Sequence, residues 1–182
     1  MRNDTAPAAR HVVLVGPMGA GKSTLGRALA KQMGLPFVDL DARIEADAGR
    51  RIAAIFAADG EAAFRALESA ALREVLLGPV CVIATGGGAV LAEGNRAAMR
   101  EAGRVVYLQV DPARQLARLA GDTTRPLLQG EDAAARLAAL QAQREPLYRA
   151  ASHHVFDAGP LNPRRAAEAL ALQLRTLETC PA

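Results

Sequence analysis

The stretch GPMGAGKS at residues 16–23 matches the phosphate-binding pattern G-x4-G-K-[ST]. It follows the apolar run 12–15 and opens a segment of helical period, which is the context that the motif requires. Backbone N–H groups and the helix N-terminus can then bind phosphate oxygens. The motif predicts a nucleotide site formed by Gly19, Ala20, Gly21, Lys22, Ser23 and Thr24. The alternative is a glycine-rich turn with an incidental lysine, which leaves the spacing unexplained.

Two side chains of this motif have specific chemical roles. Lys22 is placed to reach the β- and γ-phosphates of a nucleotide, and we predict that it is catalytic. The Ser23 hydroxyl is a hard oxygen ligand of the kind that Mg²⁺ prefers. The sequence has neither the Asn-Lys-x-Asp nor the Asp-x-x-Gly motif of GTPase switches. A small kinase fits these observations better than a GTPase.

Outward from this loop, short apolar runs alternate with longer segments of helical period. This alternation is typical of a parallel sheet that is covered by helices on both faces, so we predict an α/β fold with five strands. The predicted strands are 11–15, 36–39, 80–84, 104–109 and 154–156. The predicted helices are 22–33, 41–48, 52–59, 61–76, 93–102, 112–120, 132–151 and 163–177.

Length and composition narrow the class of protein. The 182 residues are enough for one domain, which we place at 11–178 between a disordered arm (1–10) and a short tail (179–182). The net charge of +3 by itself points toward a nucleic-acid partner, but the arginines are scattered along the chain and aromatic residues make up only 3%. We therefore expect no nucleic-acid partner. No apolar run is long enough to span a bilayer, and the N-terminal stretch lacks the apolar core of a signal peptide. We therefore expect a cytoplasmic protein, without a membrane partner and monomeric.

Two aspartates end the second predicted strand in FVDLD, residues 37–41. The carboxyl edge of a parallel sheet is where ligands collect, so one carboxylate is suited to Mg²⁺ and the other to an acceptor hydroxyl. An N-cap role for the helix that follows is the alternative for Asp41. The strand before Thr85 ends without an aspartate, which favours Asp39 as the metal residue. The glycines Gly86, Gly87 and Gly88 permit close approach of a ligand, or form a simple flexible turn.

Three arginines are candidates for anion binding. Arg65 follows Glu61 and precedes Glu68 at helical spacings, so a solvated ion pair is the alternative reading of that position. Arg144 is equally compatible with a helix surface. Arg125 lies in a predicted mobile loop, and a cation on such a lid can meet the charge that develops during phosphoryl transfer.

Six stretches in this order resemble the shikimate kinase family: GPMGAGKST, FVDLD, FRALE, ATGGGAV, TRPLL and REPLY. The resemblance covers nearly the whole chain, from residue 12 to residue 163. It implies a three-layer α/β/α fold of the nucleoside-monophosphate-kinase type, which belongs to the P-loop NTPases. It also implies a substrate-binding segment near 41–76, a lid near 120–130, and phosphorylation of the 3-hydroxyl of shikimate by ATP with Mg²⁺.

The resemblance also implies residue roles. Asp41 would orient or deprotonate the acceptor hydroxyl, while Arg65 and Arg144 would bind the shikimate carboxylate. The backbone of Gly87 and its neighbouring glycines would contact the substrate, and Arg125 would close onto ATP. Arg118 and Pro163 would enclose the adenine, and Asp39 would support Mg²⁺ beside Ser23. A gluconate kinase and a regulatory module that binds ATP without transferring phosphate are the rival functions.

Overall fold

Five parallel strands form one sheet in the order β2-β3-β1-β4-β5. A computed structural model describes residues 10–120, 133–159 and 161–179. All strand pairs are parallel, so the carboxyl ends of the strands lie along one edge. The strands are β1 (His11–Val15), β2 (Phe37–Asp39), β3 (Val82–Ala84), β4 (Gly103–Gln109) and β5 (His154–Asp157).

Helices connect successive strands, as the crossovers of a parallel sheet require. The described helices are α1 (Lys22–Met33), α2 (Leu40–Ala48), α3 (Ile52–Leu77), α4 (Glu93–Ala102), α5 (Pro112–Leu119), α6 (Ala133–Ala151) and α7 (Pro163–Thr179). Within these described ranges, no helix combines the length and the apolarity that crossing a bilayer requires.

The central strand β1 supplies side chains to both faces of the sheet. Val13 and Val15 are buried in a core shared with α3, α4 and α6, whereas Val12 and Leu14 are buried in a second core with α1 and α7. Successive side chains of a strand point to opposite faces, which explains the division. The sheet is therefore the middle of three layers, and the strand ends between the layers are where a site forms.

The predicted α/β fold with five parallel strands is confirmed, and the element bounds agree with the prediction to within two residues. The predicted break between the third and fourth helices also occurs. The span of α3, Ile52–Leu77, contains two helical parts that meet at a kink, where Gly60 has φ 81° and ψ 174°, which are not helical angles. Because a positive φ of this kind favours glycine, the change of direction is located at Gly60.

Candidate active site

A cavity of about 450 Å³ lies where β1, β2 and β3 end. Its walls come from the loop before α1, the start of α2, the glycine run after β3, α5 and the start of α7. The predicted site residues that line it are Gly19, Ala20, Gly21, Lys22, Ser23, Thr24, Asp39, Asp41, Gly86, Gly87, Arg118 and Pro163. The fold thus brings the nucleotide motif and both aspartates of FVDLD into one cavity.

The phosphate-binding loop has the backbone geometry that its glycines predict. Gly21 caps α1 with φ 92°, a left-handed conformation that a side chain would strain. The Lys22 ammonium is buried and donates hydrogen bonds of 2.8 Å to the carbonyl oxygens of Gly16 and Pro17. Lys22 is therefore held across the loop and lines the cavity, where a nucleotide phosphate would add further acceptors.

Helix α5 supports the same loop from its outer side. The buried Gln115 donates a hydrogen bond of 2.9 Å to the Met18 carbonyl, and Arg118 donates to the carbonyls of Gly19 and Ala20 at 3.2 Å each. The exposed Arg118 also lines the cavity together with Pro163, which begins α7. The residues predicted for the adenine site therefore lie on the same cavity as the loop.

The two aspartates of FVDLD have different local positions. Asp39 is the N-cap of α2, and its carboxylate accepts a hydrogen bond of 3.4 Å from the Ala42 N–H. Asp41 lies one residue inside the first turn of α2 and lines the cavity. The alternative reading of Asp41 as the N-cap is therefore wrong, because Asp39 has that role.

Gly86 makes the approach of two carboxylates possible. A Cβ atom at Gly86 would lie 2.8 Å from Oδ1 of Asp41 and 2.8 Å from Oε1 of Glu68. Contacts below about 3 Å force some atom to move, so any side chain here would displace one of these carboxylates. At Gly88 a Cβ would overlap the guanidinium of Arg65. The glycine run therefore lies directly against the charged groups of α2 and α3.

Arg65 forms ion pairs with both of the glutamates that its helical spacing offered as alternative partners. Its guanidinium contacts Glu61 at 3.1 Å and Glu68 at 2.7 Å. These pairs differ, because the Glu61 side chain is 61% exposed and that of Glu68 is 1% exposed. Burial alone would lower the pKa of Arg65, but the two carboxylates outweigh it and raise that pKa. Arg65 is a fixed cation close to the glycine run, although it does not line the large cavity.

Glu68 is a buried acid that the sequence interpretation treated only as a partner of Arg65. Burial raises the pKa of its carboxyl group, an effect that the hydrogen bond and charge of Arg65 oppose and the charge of Asp41 reinforces. Within the described residues, its Oε1 atom has no hydrogen-bond partner. The signal available in the sequence was the FRALE stretch, where Glu68 falls on the apolar side of α3 near Leu72.

Arg144 lies beside a second, much smaller cavity of about 10 Å³, which Met18, Gln115 and Tyr148 also line. Its buried Nε atom has no hydrogen-bond partner among the described residues. Met18 lines both cavities, so the two are neighbours. Arg125 and nearly all of the predicted lid, 121–130, lie outside the described residues.

Tyr148 is a second buried residue that the sequence interpretation left without a role. Its hydroxyl donates a hydrogen bond of 2.7 Å to the carbonyl of Gly87, and the side chain is 1% exposed. Burial raises the pKa of Tyr148 to about 12, against the opposing charge and hydrogen bond of Arg144. REPLY contains this tyrosine, but only the fold reveals that it reaches the glycine run 61 residues earlier in the chain.

A family model described as shikimate kinase matches residues 18–175. The chain belongs to the shikimate kinase family. A shikimate kinase from Psychrobacter cryohalolentis is 47% identical over 91% of this chain and 89% of its own length. These findings confirm the predicted enzyme class and reaction, an ATP-dependent phosphotransferase of the shikimate pathway.

Solved structures agree with this assignment. The shikimate kinase of Acinetobacter baumannii, determined in complex with shikimate, is 39% identical, with a TM-score of 0.90 over 96% of this chain and 97% of that one. A gluconokinase from Sinorhizobium meliloti has a TM-score of 0.56 over 94% of this chain and 97% of that one, but is only 21% identical. This second likeness shows a shared fold alone.

Proposed function

We propose that the large cavity binds MgATP next to shikimate and that the residues around it carry out an in-line transfer of the γ-phosphoryl group. The observation that carries the proposal is that the phosphate-binding loop and Asp41 line one cavity. The 3-hydroxyl oxygen of shikimate forms a bond to the γ-phosphorus while the bond to the bridging oxygen of ADP breaks. The products are shikimate 3-phosphate and ADP.

On the phosphate side, Lys22 and the backbone N–H groups from Gly19 to Thr24 hold the transferred phosphoryl group and its neighbours. The support for this role is that the Lys22 ammonium is hydrogen-bonded to two carbonyls of the loop and that Lys22 lines the cavity. Positioning and neutralisation of charge supply most of the acceleration in such reactions. Arg118 and Pro163 enclose the adenine, and Arg125 closes onto the phosphates with the lid segment 120–130.

On the acceptor side, Asp41 accepts or orients the proton of the 3-hydroxyl. Arg65 and Arg144 bind the carboxylate of shikimate, for which a planar guanidinium with paired N–H donors is well suited. The glycine run contributes backbone contacts at Gly86, Gly87 and Gly88. The support is that Asp41 and Arg65 both lie against this run, and Arg144 lies beside Tyr148, which is bonded to Gly87.

Ser23 and Asp39 fit a Mg²⁺ ion that is bound mainly by ATP. A hydroxyl and a carboxylate line the same cavity as the phosphate-binding loop, and both are hard oxygen donors. Mg²⁺ of this kind keeps few protein ligands and takes its other oxygens from phosphates and water. Once bound, the ion would neutralise negative charge on the β- and γ-phosphates.

The proposal extends to the organisation of the chain. We propose one domain over 11–178, with the segment 41–76 around the substrate, and a monomeric protein in the cytoplasm. The pairing of all five described strands in one sheet supports the single domain. Size-exclusion chromatography with light scattering tests the monomer, because a mass near 38 kDa, about twice the 19.0 kDa of one chain, would contradict it.

One coupled assay tests the reaction. Release of ADP is measured with MgATP and either shikimate or gluconate. We expect turnover with shikimate and none with gluconate. Turnover with gluconate and none with shikimate would favour the rival sugar-acid kinase. If ATP binds while no phosphorylated product forms across a panel of polyols and cyclic acids, the chain is a nucleotide-binding module instead.

A variant of the acceptor side sharpens this assay. Asp41→Asn keeps the size of the side chain but removes the general base, so kcat is expected to fall by about 100-fold or more. Asp47→Asn is the matched control, because Asp47 also lies on α2 but forms an exposed ion pair with Arg43. A kcat for Asp41→Asn equal to that of the control would remove Asp41 from the reaction.

A further inference from the structure

Tyr148 joins two parts of the acceptor side that are far apart in the sequence. It lies on α6, and its hydroxyl donates to the Gly87 carbonyl in the run that follows β3. The hydrogen bond is 2.7 Å long. Because the Tyr148 side chain is 1% exposed, water competes little for this bond. This contact fixes the distance between α6 and the glycine run.

The Tyr148 ring is itself held in place. It stacks on Tyr107 of β4, with ring centroids 5.2 Å apart and an angle of 20° between the planes. Tyr107 is fully buried, and its hydroxyl accepts a hydrogen bond of 2.9 Å from Gln141. The hydroxyl of Tyr148 therefore has a defined position, which a residue that orients others requires.

Arg144 lies four residues before Tyr148 on α6, so the two side chains share one face of the helix. Both line the small cavity beside Met18. A tyrosine hydroxyl can accept one hydrogen bond while donating another. Since the Tyr148 hydroxyl uses its one hydrogen to donate to Gly87, it can take part in a further hydrogen bond only as an acceptor. The guanidinium of Arg144 has only donors and therefore suits it.

We propose that Tyr148 is a positioning residue, whose hydroxyl accepts from Arg144 and donates to Gly87 and thereby aligns both with the bound carboxylic acid. This inference rests on the proposed function, in which Arg144 and Gly87 contact shikimate. The raised pKa of about 12, caused first by burial, keeps the hydroxyl protonated throughout the working range of pH. It therefore remains a donor to Gly87 under all assay conditions near neutrality.

Tyr148→Phe removes the hydroxyl and retains the ring. We expect the KM for shikimate to rise about fivefold to tenfold, the factor that corresponds to one lost hydrogen bond, while the KM for ATP stays the same. Tyr107→Phe is the matched control, because it removes a buried hydroxyl from the other ring of the same stack. An unchanged KM for shikimate in Tyr148→Phe, or an equal rise in both KM values, would overturn the inference.

A double-mutant cycle separates positioning from loss of packing. In an Arg144→Ala background, Tyr148→Phe should raise the KM for shikimate by a clearly smaller factor than in the parent protein, because part of its effect passes through Arg144. If Tyr148→Phe raises the KM for shikimate by the same factor in both backgrounds, the inference is overturned, even where the variants differ in melting temperature. If Arg144→Ala by itself leaves the KM for shikimate unchanged, Arg144 is removed from the proposed carboxylate site. If Arg144→Ala raises that KM and Tyr148→Phe does not, only the role of Tyr148 is wrong.

Discussion

The phosphate side and the acceptor side of the cavity are built in different ways. The phosphate side is one continuous loop, residues 16–23, in which the backbone and Lys22 form the site from consecutive residues. The acceptor side is assembled from side chains on α2, α3 and α6 that meet at the glycine run after β3. The first depends on local sequence, and the second depends on the packing of distant elements.

This difference predicts how substitutions on each side affect the kinetics. Removing the Lys22 side chain takes away a proposed contact to the phosphates directly, without acting through another element of the fold. A change on the acceptor side passes through neighbours, because Arg65, Glu68, Asp41 and Gly86 lie in mutual contact or close to it. Loop variants should therefore affect turnover. On the acceptor side, only changes that remove or displace Asp41 should do so, and changes at the arginines should affect the KM for shikimate.

Lys22→Ala is expected to give the largest effect, a loss of about 100-fold to 1,000-fold in kcat, as for removal of a positioned donor to developing charge. The control is Lys31→Ala, which removes the other lysine of the chain from the exposed end of α1. Steady-state kinetics with MgATP and shikimate measure both variants. Near-normal kcat in Lys22→Ala would contradict the role of the loop in transfer.

Gly86→Ala is expected to have the next largest effect, because its Cβ would lie 2.8 Å from carboxylate oxygens of both Asp41 and Glu68. Displacing a catalytic group by about 1 Å can cost about 100-fold, and we expect a loss of this order in kcat/KM for shikimate. Gly94→Ala in α4 is the control, since a Cβ there has open space around it. Equal kinetics for the two variants would mean that the carboxylates move aside without consequence.

The same contrast explains what could be predicted from the sequence. The loop and its strand–helix context were evident, because every functional atom belongs to neighbouring residues. The roles of Glu68 and Tyr148 were not evident, because each depends on a contact across the fold: Glu68 with Gly86, and Tyr148 with Gly87. Helical spacing offered Glu61 and Glu68 as alternative, solvated partners of Arg65. It did not predict that both pairs form or that the pair with Glu68 is buried, since burial is a property of tertiary packing.

Arg144→Ala tests the acceptor side without touching the loop. Loss of a hydrogen bond between charged groups is worth about 1.5–3 kcal/mol, so the KM for shikimate should rise about 10-fold to 100-fold while the KM for ATP changes little. Arg149→Ala is the control, because Arg149 lies on the same helix and pairs with Glu145 at the surface. A similar small change in both variants would remove Arg144 from the carboxylate site.

Glu61→Gln should give the smallest effect. It should lower the KM for shikimate, whereas Arg144→Ala should raise it. Glu61 accepts hydrogen bonds from Nε and Nη2 of Arg65, at 3.2 and 3.1 Å, so it competes with any substrate carboxylate for these two donors. Because exposed ion pairs of this kind are worth about 0–1 kcal/mol, removing the competing charge should lower the KM for shikimate by up to about fivefold.

The ionic strength of the assay separates competition by Glu61 from an orienting role. Salt screens an exposed pair, so the difference in KM between the parent protein and Glu61→Gln should shrink as salt is added. Glu74→Gln is the control, since Glu74 lies on the same helix and pairs with Arg43 on the exposed surface. A higher KM for shikimate in Glu61→Gln would show that Glu61 orients Arg65. Both glutamates that pair with Arg65 would then belong to the acceptor side, whereas a lower KM would assign that role to the buried Glu68 and not to Glu61.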